Sequence, residues 1–117
     1  MTTNDKEARA VPRPRRQRGR PLTPVVLPDG VAGEELVWFR DRLVAQALSP
    51  HTVNAYLTDL KGMVQAVGKP LSLTGKPDIE RYLVQWTEMG ANPRSLARFL
   101  SALRRFCRLM IAEGRLR

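Results

Sequence analysis

From Asn92 to Gly114 the chain reads NPRSLARFLSALRRFCRLMIAEG, with apolar residues recurring at helical spacing. The period puts Leu96, Phe99, Leu100, Leu103, Phe106, Cys107 and Met110 on one face. Asn92 is a capping residue, and the missing N–H of Pro93 costs nothing in a first turn. Gly114 readily takes the left-handed conformation that ends a helix, so the pattern predicts a helix over 93–113. Arg94, Arg98, Ser101, Arg104, Arg105 and Arg108 fall on the opposite face, in an arc about 120° wide.

Three more helices follow from the same reasoning. The first is expected over 33–47, with Leu36, Phe39 and Leu43 buried, Val37 and Val44 supporting them, and Trp38 a partly buried anchor. Glu34 and Glu35 suit the positive end of its dipole. The second is capped by Ser49, begins at Pro50 and runs to Val67, with Val53, Tyr56, Leu57, Leu60, Met63, Val64 and Val67 as its apolar stripe. His51, Asn54, Thr58, Lys61 and Gln65 line another side, which suits either a recognition surface or an ordinary solvated face. The third spans 77–89, with Ile79, Tyr82, Leu83 and Trp86 inward and Gly90 as its stop; Tyr56 and Tyr82 read as core residues. Segments 25–32 and 68–77 are loops by their proline and glycine content. The expected architecture is all-α: a compact four-helix domain over 33–117, preceded by an arm and connector over 1–32.

Charge changes this picture. The chain of 117 residues carries a net charge of +9, unevenly distributed. Residues 1–24 hold seven basic and two acidic groups, residues 94–117 seven and one, and the middle six and eight. Two positive regions on a near-neutral body suit a polyanionic partner, and duplex DNA is the partner expected. A solvated face would ordinarily interleave both signs, whereas the arginine arc of the last helix contains no acid. A helical adaptor whose basic face meets an acidic protein is the rival reading. The arm, with VPRPRRQRGRPLTP, offers little to bury and is expected to be disordered. Within it Arg18, Gly19, Arg20 and Pro21 resemble the core of an AT-hook, a motif that lies in the minor groove of A·T-rich DNA. A flexible counterion arm accounts for the same residues and is preferred, since four residues in an arginine-rich arm can match by chance.

Candidate chemistry is sparse. Cys107 is the single cysteine and lies on an apolar face, so neither a disulfide nor a thiolate zinc site is expected. His51 is the single histidine, suited to a surface or phosphate-contacting role. There is no nucleophile triad, carboxylate pair, phosphate loop or metal-spaced cluster, so no catalytic residue, metal, cofactor or small-molecule substrate is expected. The polar N-terminus MTTNDKEARA has no signal-peptide core and no apolar run approaches a bilayer span, so the expectation is a cytoplasmic chain with no membrane partner.

The segments SPHTVNAYLTDLKGMVQAV, DIERYLVQW and NPRSLARFLSALRRFCRLMIAEG resemble the N-terminal core-binding domain of tyrosine recombinases of the Xer and phage-integrase type, and the resemblance runs from about Glu34 to Arg117. The resemblance implies a SAM-like bundle that clamps one face of a recombination site, with two helices, here 50–67 and 93–113, crossing in the major groove. It also implies other recombinase protomers as partners on the DNA. Carried over by residue, Thr52, Asn54 and Ala55 match DNA-facing positions on one helix, and Arg94, Ser95, Arg98, Ser101 and Ala102 on the other. Arg98 and Asn54 suit base edges; Thr52, Ser95, Arg94 and Arg105 suit phosphates. The family's catalytic half has no counterpart in this sequence, and Tyr56 and Tyr82 do not match its nucleophile. The chain itself is therefore expected to cleave nothing, being either the DNA-binding half of a longer recombinase or a stand-alone accessory factor. Neither Arg98 nor Arg105 is expected in the core, so alanine at either is expected to leave stability unchanged.

Overall fold

Ser49, Gly90, Asn92 and Gly114 mark helix boundaries where the sequence places them in a computed structural model that describes residues 23–115 and contains four helices. These are α1 (Gly30–Ala45), α2 (Pro50–Val67), α3 (Lys76–Glu88) and α4 (Pro93–Ala112), with one 3-10 turn at Leu71–Leu73. The described residues contain no strand, and residues 1–22 of the arm, including Arg18-Gly19-Arg20-Pro21, lie outside them. The chain is all-α, as its periodicity predicts.

The caps have the expected chemistry. Ser49 Oγ accepts from the Thr52 amide at 3.2 Å, and Asn92 Oδ1 accepts from the Arg94 amide at 2.7 Å. At the start of α3 the Asp78 carboxylate reaches back to the Gly75 amide at 3.1 Å and also pairs with Lys69 and Arg81. These bonds hold the Asp78 carboxyl below the usual carboxylate range, the Gly75 amide contributing most. α4 ends in a Schellman turn: the Gly114 amide donates to Ile111 O and the Arg115 amide to Met110 O.

α1 ends in the same way without a glycine. The Ala47 amide donates to Val44 O and the Leu48 amide to Leu43 O, which forces Ala47 to φ 63°. A Cβ in that conformation costs about 1–2 kcal/mol, partly offset by the lower entropy of unfolded alanine relative to glycine. Ala47→Gly is therefore expected to stabilise the chain by about 0.5–1 kcal/mol, read as a shifted urea midpoint with an unchanged slope.

α2 is the central element and packs against each of the other three helices. The core joins Leu36, Phe39 and Leu43 of α1 to Val53, Leu57, Leu60, Met63 and Val64 of α2. Phe99, Ala102, Leu103, Phe106 and Met110 of α4 complete it, with Leu71 from the 3-10 turn. Phe39 meets Phe106 edge-to-face at 5.4 Å, and Phe99 receives Tyr82 at 5.4 Å and Trp86 at 5.5 Å. Each such pair adds about 0.5–1.5 kcal/mol beyond area burial. These three contacts bind α1 and α3 to opposite parts of α4.

Several expectations need correction. Val44 is 61% exposed and Val37 is also exposed, because α1 buries only the narrow side that faces α2 and α4. Tyr56 and Tyr82 are half-buried rather than core residues; Tyr82 stands on α3, which contributes no fully buried residue and only flanks the core. Burial, with the nearby Asp59 charge, pushes the Tyr82 phenol above its ordinary pKa. α1 starts at Gly30, three residues before the expected position, with Asp29 in extended backbone ahead of it. Glu34 and Glu35 therefore lie beyond the first turn and do not serve the dipole, and Glu35 has another role. It is buried, and it accepts hydrogen bonds from the Ser72 amide and hydroxyl, fixing the 3-10 turn to α1.

Candidate nucleic-acid interface

α4 presents its arginines because its other side is consumed by packing: Phe99, Ala102, Leu103, Phe106 and Met110 are all buried. Arg94, Ser101, Arg104 and Arg108 are exposed, and Arg105 is half-buried. Among the described residues no acid pairs with Arg94, Arg104, Arg105 or Arg108. Arg105 donates to the neutral Gln46 side chain at 2.7 Å, so its charge is uncompensated there. The exception is Arg98, whose Nε and Nη2 donate to Asp59 of α2 at 2.8 and 2.9 Å. That carboxylate raises the Arg98 pKa by hydrogen bonding, against the opposing effect of burial.

The acid in the last turn of α4 is also engaged. Glu113 accepts from Trp38 Nε1 at 3.2 Å and from Arg42 Nη2 at 3.1 Å. The Arg42 and Arg115 guanidiniums lie over the Trp38 ring at 5.3 and 4.9 Å. Arg42 holds the Glu113 carboxyl below the usual range, and Trp38 adds to the effect. Trp38 is thus a half-buried anchor, as its position in the sequence suggests. The cluster ties the end of α4 to α1 and leaves the arginine face untouched.

The residues expected at DNA are only partly brought together. Arg94, Ser95, Arg98, Ser101 and Arg105 follow one side of α4. Ala102 does not join them: it is 0% exposed, since the core face of α4 is wide enough to include it. It is withdrawn from the candidate contacts. On α2, Thr52 and Ala55 stand on the stripe that includes Asp59, two turns and one turn before it respectively. Thr52 Oγ1 accepts from Ser49 Oγ at 2.9 Å within the cap. Asn54 lies about 140° around α2 from Asp59, and its Nδ2 donates to Thr23 O at 3.1 Å, holding down the connector. Asn54 and Arg98 therefore do not share one surface.

Sequence reasoning gave Asp59 no role and Glu35 the wrong one; these are the two buried acids among the described residues. A signal for the first was present: Asp59 is an isolated acid bordering the α2 apolar stripe, and Arg98 is the arginine nearest the core edge of α4. The pair reverses the expected outcome for Arg98→Ala, which would strip the partner from a buried carboxylate.

The phage integrase N-terminal SAM-like domain model matches residues 37–114, covering α4, α3, α2 and most of α1. The chain belongs to this family. This domain is the N-terminal domain of tyrosine recombinases, and the chain is 36% identical over 107 residues to "Tyrosine recombinase XerD" of Xanthomonas campestris pv. campestris. That match covers 88% of this chain and 32% of the relative, so the chain spans about a third of that protein's length. No solved structure matches it. In this recombinase N-terminal domain no helix among the described residues is long and apolar enough to cross a membrane. No group of metal-ligating side chains gathers among them either.

Proposed function

We propose that this domain binds the duplex of a recombination site, with α4 and the Thr52–Ala55 side of α2 entering the major groove. The carrying observation is the α4 arginine face, on which Arg94, Arg104, Arg105 and Arg108 meet no acid among the described residues. Those four contact phosphates, together with Ser95 and Thr52 near the N–H groups of each helix start. Arg98, whose guanidinium is oriented by Asp59, contacts a base edge. The basic arm of residues 1–24 adds a sequence-independent counterion contribution. In a longer recombinase the domain acts with other protomers on the same DNA, and strand cleavage belongs to a separate domain.

The full chain should bind a mixed-sequence duplex with a log–log salt slope of roughly −5 to −7, as five to eight neutralised phosphates require. Fluorescence anisotropy across a salt series measures it, with polyglutamate as the acidic competitor. A flat salt response, or tighter binding to polyglutamate than to duplex, would overturn the DNA-binding reading, and the second outcome would favour the adaptor.

A further inference from the structure

One arginine of α4 differs from the rest in having a buried acid behind it. The Asp59 side chain is 5% exposed, while the Arg98 side chain that it pairs with remains 45% exposed. We infer that Asp59 is a positioning residue that turns Arg98 from a phosphate contact into a directional reader of guanine. The inference rests on the DNA-binding reading above and deepens it.

Three observations support this. The first is which donors the pair occupies. A guanidinium has five N–H donors in one plane. Asp59 takes them side-on, through Nε and Nη2. The Nη end keeps its outward N–H pair, and that fork matches the O6 and N7 acceptors of guanine in the major groove. The second is charge. With a carboxylate at hydrogen-bond distance the Arg98–Asp59 unit is close to neutral, so the phosphate field draws it weakly while its directional donors persist. Arg94, Arg104 and Arg108 have no such partner among the described residues and keep their full charge. The third is freedom. An arginine side chain normally loses rotamers on binding, whereas this one is already held by two bonds to a packed helix. The neighbours one turn away on this side of α4 include the small residues Ser95 and Ser101.

A purely mechanical tie between α2 and α4 would not need this arrangement. Apolar residues of similar volume join two helices as well as a buried ion pair does, or better. A buried acid with a half-exposed guanidinium instead has the form of an orienting bracket.

The test uses the full chain as wild type, Asp59→Asn and Arg98→Lys. Asparagine keeps the shape of the buried acid, and lysine keeps the charge of Arg98 without its planar fork. Each protein selects from a duplex pool randomised at its centre, and each is titrated with salt on an alternating A·T duplex. The wild type should enrich guanine at one position, and both variants should lose that preference by about tenfold or more. Asp59→Asn should also bind the A·T duplex more tightly, with a salt slope steeper by about one, because a freed Arg98 joins the phosphate contacts. Arg98→Lys should leave that slope unchanged. Retained guanine selection in Asp59→Asn, or equal weakening on every duplex with a lowered melting temperature, would make the pair structural only. Failure of the wild type to bind any duplex overturns the DNA-binding reading itself, and that outcome is visible before a variant is made.

Discussion

Arg98→Ala should lower the stability of the folded chain by about 2–4 kcal/mol, although the residue lies on an exposed helix face. The cost does not come from Arg98, which is already half in water. It comes from Asp59, whose side chain is 5% exposed and receives both of its guanidinium bonds from this one partner. Removing the arginine leaves a buried carboxylate without its counter-charge. The lower part of the range for broken buried pairs applies because the site opens to solvent on the arginine side. In a domain of this size the melting temperature should fall by roughly 10 °C or more. Arg105→Ala is the control: its partner is the neutral Gln46 on the surface, and its effect should stay within about 0.5 kcal/mol. Combining Asp59→Asn with Arg98→Ala should recover much of the loss, since the buried charge is then gone. An Arg98→Ala chain that melts with the wild type would show that Asp59 is solvated without its partner.

Gly33→Ala sets two effects against each other, and the structure decides the sign. By helix propensity alone, alanine in place of an interior glycine should stabilise α1 by about 1 kcal/mol. A Cβ at Gly33, however, would lie 1.7 Å from the carbonyl oxygen of Pro28. The obstruction is backbone, so no side chain can rotate aside. Either the connector lifts, pulling Val25 and Leu27 from the core they pack against, or the first turn of α1 unwinds. Overpacking combined with lost apolar burial should destabilise the chain by about 2–4 kcal/mol. Hydrogen exchange should show the loss locally, with faster exchange at the start of α1 and continued protection in α2 and α4. Stabilisation by this substitution would mean that the connector does not cross α1 at Pro28.

What the sequence determined by itself is the local part of this protein. Ser49, Asn92 and Gly114 mark helix ends because capping depends on a few neighbouring residues and their backbone angles. The apolar phase of α2 and α4 is legible because 3.6-residue periodicity is a property of each helix alone. The arginine arc of α4 is readable for the same reason, and so is the family, which the matched model bears out. The start of α1 was misplaced because Pro28-Asp29-Gly30 is a turn signal and a helix entry at once, and only the path of the connector separates the two. Tertiary structure alone decided what depends on how the helices are rotated against each other. That rotation buries Ala102, exposes Val44, and sets Asp59 behind Arg98, Glu35 under Ser72 and Asn54 against Thr23. These partners lie 31 to 39 residues apart, and no local period relates them. A helix fixes which residues share its faces, but the width of the face that is covered, and the group opposite each charge, are set by the neighbouring helix.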